Sequence, residues 1–232
     1  MTAALFVGIL VGIGASLLVW SISGVEWIVD FFTEGSMESR LVLLIIPLGI
    51  FVSWTIDRVW GPGVSSGGVT ETMIGLSLRG GYLPTRTVGA KVAATAATLG
   101  TGGSGGREGP VVQIGATIGS SFGRYTRFGE DQIRGLVAAG AAAGIAASFN
   151  APIAGMLFAL EVILGNFAIR HLNAVVVASV AAAVTARELV GAEQILSAPT
   201  HSLGHPAELV LYATLALICV GVAVLFLQIL ER

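Results

Sequence analysis

The run Gly100-Thr-Gly-Gly-Ser-Gly-Gly-Arg-Glu-Gly-Pro110 sets one carboxylate, Glu108, among glycines in a chain otherwise built for lipid. A charge at bilayer depth costs on the order of several kcal/mol unless water, a partner or a bound ion compensates it, so such residues usually have a function. Glycine removes side-chain bulk and lets main-chain amides approach a ligand. Pro110 suits the first turn of a helix through Val111-Val112-Gln113-Ile114, and the amides of Val111 to Gln113 would then lack partners at the helix start. Unpaired amides and the positive end of a helix dipole favour a negative ligand. The implied chemistry is an anion site flanked by Arg107, with Glu108 as a movable acid competing for the same potential.

Other constellations point elsewhere. Gly103-Ser104-Gly105 resembles the Gly-x-Ser-Gly of rhomboid-like intramembrane serine proteases, with His171 as the imagined base. A nucleophile needs its base within hydrogen-bond reach, and His171 follows Arg170 at what reads as a helix edge, where a solvated histidine is the simpler reading. The glycine run lacks the Gly-Lys-Ser/Thr of a phosphate loop. His201 and His205, with Glu193 and Glu208 nearby, could be drawn as a metal site, but histidines in a polar loop are more simply solvated. Glu161 sits on an apolar stretch, as a structural acid satisfied by neighbours or facing an inner vestibule. Trp54 and Trp60 fit interfacial anchors or packing, and the Ala/Gly-rich 138–147 stretch fits close helix contact.

The elements that must hold these residues are apolar. The chain has 232 residues, 54% hydrophobic and 11% charged, against about 25% charged in a soluble domain. It is therefore read as an all-α, polytopic membrane protein rather than a soluble enzyme. The net charge of -2 and the absence of a basic run give nucleic acid no footing. A lone Cys219 excludes an intramolecular disulfide framework and a multi-cysteine metal site, and no cofactor is called for. The 32 glycines, about twice the usual share, fit close packing in lipid and irregular backbone around a site.

A spanning helix needs about 20 apolar residues. Ala3–Trp20, Leu41–Ile56 and Leu209–Leu230 meet that need; Ala3–Trp20 lacks a basic n-region and is read as a retained helix. The middle segments Val88–Leu99, Val111–Phe122, Leu136–Phe149, Ile153–Leu164 and Ala174–Ala186 are shorter and broken by Gly, Pro or charge. Such segments tilt, re-enter or stop midway, and they are the sequence pointer to a transport site. The basic joins, Arg58 to Lys91 and Arg124 to Arg134, lean cytoplasmic, and the acidic loop with Asp30, Glu34 and Glu38 leans outside.

Gly106-Arg107-Glu108-Gly109-Pro110, followed by Val111-Val112-Gln113-Ile114-Gly115, resembles the signature of the CLC family of chloride channels and chloride/proton exchangers. Ala138 to Gly144, Ser148-Phe149-Asn150-Ala151-Pro152-Ile153-Ala154-Gly155 and Phe158-Ala159-Leu160-Glu161 resemble the helices that follow in that family. The resemblance implies tilted, broken and re-entrant helices in two inverted repeats, and a homodimer with one anion pathway per subunit. Glu108 would be the gating glutamate. Gly61, Pro62, Gly63 and Val64, with Arg107, Gly109, Pro110, Val111 and Val112, would line the anion path.

Three departures qualify that implication. Proline at Pro62 replaces the serine of the usual Gly-Ser-Gly-Ile-Pro motif, as in nitrate-preferring members, so nitrate stands beside chloride as substrate. Val162 follows Glu161 where many exchangers carry a second glutamate as internal proton acceptor, which leans the reading to a passive channel, with proton-coupled exchange as the alternative and a Ser104 hydrolase as the rival from another class. The Gly-x-Phe-x-Pro motif and the late pore tyrosine of the second repeat are missing. The chain is therefore expected to hold the first repeat, about 1–190, and the start of the second, about 205–232. The absence of cytosolic domains leans the location to a prokaryotic inner membrane.

Overall fold

Lipid offers no hydrogen bonds to a bare backbone, so a spanning segment must satisfy its own amides and carbonyls, which a helix does. The computed structural model describes residues 1–33, 42–60, 67–165, 169–191 and 204–231, and every regular element among them is helical. The chain divides into two units, Met1–Gln194 and Ile195–Arg232. The first contains α1 (Thr2–Thr33), α2 (Val42–Trp60), α3 (Gly68–Leu78), α4 (Arg86–Gly100), α5 (Glu108–Tyr125), α6 (Glu130–Phe149), α7 (Pro152–Phe158) and α8 (Ile169–Val190). A single π-helical turn, Ala159–Ile163, continues α7, closed by the Leu164 amide donating to the Ala159 carbonyl at 2.9 Å. The second unit contains α9 (Glu208–Leu230), which is apolar all round and uncharged beyond Glu208.

Among the described residues, Thr2–Thr33, Leu43–Trp60, Glu130–Phe149, Arg170–Val190 and Glu208–Leu230 are long and apolar enough to cross a membrane. The short middle elements are also present. The 15 residues of α4 reach about 22 Å, well under the roughly 30 Å of a hydrocarbon core. Several bounds differ from expectation. Instead of stopping at Trp20, α1 continues to Thr33, because polar residues close on its own turns: Ser21 Oγ donates to the Leu17 carbonyl at 2.7 Å and Thr33 Oγ1 to Val29 at 3.0 Å. Asp30 is thus helical, while Glu34 and Glu38 lie outside the described residues. The segment read as a basic join contains a helix, α3. The sixth helix starts at Glu130 rather than Leu136, since the Gly129 amide donates to Gln132 Oε1 at 3.2 Å and Glu130 and Asp131 suit the positive end of the dipole.

The core centres on α5 and α6, where Val111, Val112, Ala116 and Val137 to Ala139 have no appreciable exposure. The two helices run antiparallel and meet backbone to backbone. A Cβ on Gly115 would overlap the Gly140 carbonyl, one on Gly119 the Leu136 carbonyl, and one on Gly144 the Val111 carbonyl. Small residues every fourth position permit this approach. The same spacing at Gly8 and Gly12 seats α1 on Ala178 and Ala182 of α8, with the two helices parallel.

At its C-terminal end α5 is tied to the α3–α4 connection. Ser120 Oγ donates to the Gly81 carbonyl at 2.7 Å and accepts from the Leu83 amide at 3.1 Å. Arg124 donates to the Leu83 carbonyl at 3.2 Å and lies 4.4 Å over the Tyr82 ring. These contacts bring Arg79–Arg86 and Arg124–Arg134 to one end of the unit. Glu26 and Asp30 lie at the other, beside Thr101 and Gly102.

Candidate anion gate

The glycine run works in two parts. Its first part ends α4: Gly102, at φ +86°, donates to Leu99 at 3.0 Å, and Gly103 donates to Thr98 at 2.8 Å. This pair of bonds satisfies the last carbonyls of α4. Its second part delivers the chain to α5, which begins at Glu108 with Arg107 at the cap.

The helix therefore starts two residues before Pro110, and this moves the free amides. The Val111 amide donates to the Arg107 carbonyl at 3.0 Å, and Val112 and Gln113 are already inside the helix. The expectation of unpaired amides from Val111 to Gln113 is thereby corrected. The first-turn N–H groups outside the helical ladder belong to Glu108 and Gly109, and Pro110 has none to offer. Pro110, Val111 and Val112 are buried and brace the turn from behind.

Gly109 then meets Gly68, the first residue of α3, so closely that a Cβ on Gly68 would overlap the Gly109 carbonyl. Two helix N-termini converge at that contact. Neither has a side-chain cap, so both present positive dipole ends to one place. A cavity of about 310 Å³ opens there, lined among others by Gly68, Lys91, Thr95, Thr98, Glu108 and Gly109. The Glu108 carboxylate lies back over Gly106, where any Cβ would overlap it. Arg107 is half-buried and interacts electrostatically with Glu108 and with Glu26 of α1.

Lys91 is the residue the sequence reading passed over. By sequence it falls in a basic join, yet it is 7% exposed on α4 in the wall of this cavity, interacting electrostatically with Asp57 of α2. The signal was available: a lysine inside the apolar run Val88–Leu99 is as costly as Glu108. The cavity wall thus combines two helix starts, the Lys91 side chain and the Glu108 carboxylate, with Arg107 next to Glu108 in the chain and Asp57 acting on Lys91. Two helix N-termini and Lys91 face the same space as the Glu108 carboxylate.

Gly61, Pro62, Gly63 and Val64 fall outside the described residues, as do His201 and Glu193. His205 is exposed and accepts from the Ala207 amide at 3.2 Å. Glu161 is exposed on the π-helical turn, and Val162 beside it is half-buried. The hydrolase arrangement does not form. Ser104 precedes the start of α5, whereas His171 packs on Gly135 and lies 3.6 Å from Asp131 at the opposite end of that helix. Eighteen helical residues, about 27 Å, separate the two ends. His171 is also buried rather than solvated, at 8% exposure.

The voltage gated chloride channel family matches residues 48–232. A voltage-gated ClC-type chloride channel, ClcB, of Yersinia pseudotuberculosis is 28% identical over 98% of this chain and 58% of its own length. An H(+)/Cl(-) exchange transporter, ClcA, of Vibrio cholerae is 35% identical over 52% of this chain and 26% of its own. The crystal structure of a slow cyanobacterial Cl-/H+ antiporter superposes with a TM-score of 0.79 at 23% identity, over 94% of this chain and 53% of that one. The chain thus spans about half the length of that antiporter and less than two thirds of either relative. These proteins are named for channels and transporters, not for enzymes. With the all-α spanning architecture and the Gly106–Pro110 string at a helix start, this places the chain, a multi-pass integral membrane protein, in the voltage gated chloride channel (CLC) family.

Proposed function

We propose that the described residues form one side of a transmembrane chloride pathway, in which an anion binds where α3 and α5 begin and Glu108 competes for that position. The observation that carries this reading is the Gly68–Gly109 contact, which sets two uncapped helix N-termini and Lys91 around one cavity. Backbone N–H groups of Glu108 and Gly109, helped by Arg107 and Lys91, replace part of the anion's hydration. When the Glu108 carboxylate rotates off Gly106 or is protonated, the position is free for the permeant ion. Gly61 to Val64 complete the path on the α3 side, with Pro62 admitting nitrate beside chloride. The working form is a homodimer of chains carrying both repeats, in a prokaryotic inner membrane.

Passive conduction is the first reading, because Val162 offers no internal proton acceptor. Proton-coupled exchange is the second, favoured by the likeness to the Vibrio cholerae exchange transporter and the cyanobacterial antiporter. Anion efflux from proteoliposomes tests both. Wild-type flux falls as pH rises and Glu108→Gln flux does not respond to pH. An unchanged pH response in Glu108→Gln removes the gate, and absence of flux in both proteins removes the pathway. Proton uptake against its gradient, driven by chloride, selects exchange.

A further inference from the structure

Packing of α1, α4 and α5 leaves a second concavity that the anion pathway does not use. Two stretches, of about 590 Å³ and about 430 Å³, share Leu10, Val88 and Ile118 in their walls. The larger runs past Ile13, Leu17, Val92 and Ile114. The smaller continues to Thr85, Ser121, Phe122 and Tyr125. Together they make a groove along the three helices, open on the side where Leu10, Ile13 and Leu17 are exposed.

Its two ends differ in chemistry. The Ile114 end is apolar. The other end emerges where α4 starts, at Thr85, with no side-chain cap and with the exposed Arg86 as its first residue. Arg124 and the exposed Arg127 follow from the end of α5. The acids of that end are directed elsewhere: Glu130 lies against Gly80, and Asp131 pairs with Arg170 at 3.1 Å. Among the described residues, a buried polar group in the groove wall has no partner. Thr117 is 1% exposed, lines the smaller stretch, and its hydroxyl makes no hydrogen bond. Thr98 of α4 and Thr185 of α8, by contrast, close on a carbonyl of their own turn at 3.0 and 2.8 Å. A buried hydroxyl left without an acceptor costs stability unless something else accepts from it.

We propose that this groove binds one anionic phospholipid, its acyl chain along Ile13–Leu17, Val92 and Ile114 and its phosphate at the start of α4 beside Arg86. The apolar stretch matches an alkyl chain, and Thr117 donates to an ester carbonyl between chain and headgroup. Charge complementarity selects an anionic headgroup over a zwitterionic one. The binding is independent of the anion gate, since Glu108 and Lys91 line a different cavity.

The test uses the purified protein in nanodiscs, with phosphatidylglycerol carrying a photoactivatable group in its acyl chain and phosphatidylcholine with the same chain for comparison. Peptide mass spectrometry should find phosphatidylglycerol labels within 10–21, 88–93 and 114–125, with much weaker phosphatidylcholine labels. Gly89→Leu fills the groove: Gly89 lines it, and a Cβ there meets nothing within 4 Å. Replacing a helical glycine by leucine also favours the helix. Labelling should be lost in this variant with thermal stability retained, and Ala93→Phe on the same wall gives a second blocked form. Arg86→Gln should lower phosphatidylglycerol labelling about five-fold. Equal labelling by both lipids, full labelling in both blocked variants, or no label in the three segments because protein fills the groove would each overturn the proposal.

Discussion

Replacing Gly106 by alanine would displace the Glu108 carboxylate while leaving its chemistry intact. The new Cβ would overlap Glu108 Oε2 and fall 2.9 Å from Glu108 Cδ, while no other residue comes within its three nearest contacts. Gly106 does not occupy the left-handed region, so alanine fits the backbone, and the obstructing atoms are the far end of a flexible side chain. Relief comes from rotating Glu108, and holding the old position against the methyl group costs about 1 kcal/mol as an off-rotamer strain. That converts to about a five-fold loss in occupancy of the resting position. If the carboxylate competes with the anion, the apparent affinity for external chloride and the flux at low chloride both rise by a similar factor in proteoliposomes. Gly105→Ala is the control, since its Cβ would meet Leu99 at 3.2 Å and not the carboxylate. In a Glu108→Ala background the Gly106→Ala effect should vanish, as expected for two residues acting through one contact. Equal effects of the two alanines, or an effect that persists without Glu108, would refute the competition.

Lys91→Met should weaken chloride binding, read by isothermal titration, and lower the melting temperature by removing the charge that acts on half-buried Asp57. Glu26→Gln removes the second of the two carboxylates that act on Arg107; anion affinity should rise, most visibly at low salt, and Glu26→Asp should restore the original value. Ser120→Ala leaves the Leu83 amide without its acceptor and should destabilise the protein by about 1–3 kcal/mol in a detergent melt. Gly119→Val forces a side chain into the Leu136 backbone and should cost at least about 1–3 kcal/mol as an overpacked contact, with unfolding or aggregation as its extreme.

The region from Gly102 to Pro110 was legible because its code is local. Gly102 at positive φ, Pro110 in the first turn and the string between them specify a helix end, a loop and a helix start within a dozen residues. What hydropathy could not give was where helices continue past their apolar stretch. Ser21 and Thr33 satisfy themselves on α1, and Glu130 and Asp131 open α6, so polar residues there extend helices instead of ending them. Charge within a helix looks the same as charge between helices, so hydropathy does not separate Lys91 of α4 from a connection or reveal α3. The antiparallel seam of α5 and α6 depends on which glycines of one helix face which carbonyls of the other. The Ala/Gly-rich 138–147 stretch announces a close contact but not its partner.

That seam also sets how this protein can move. Where Gly115 and Gly140 touch through main chain alone, there are no side chains to change rotamer and absorb a shift, so sliding or tilting α5 against α6 would collide peptide groups at several levels at once. Ser120 and Arg124 pin the far end of the same helix. Mechanically α5 is a post, and the freedom left at its tip is the swing of one carboxylate and the slack of a glycine loop. If Glu108 gates as proposed, its stroke is an ångström-scale one near Gly106 that leaves the seam of α5 and α6 in place.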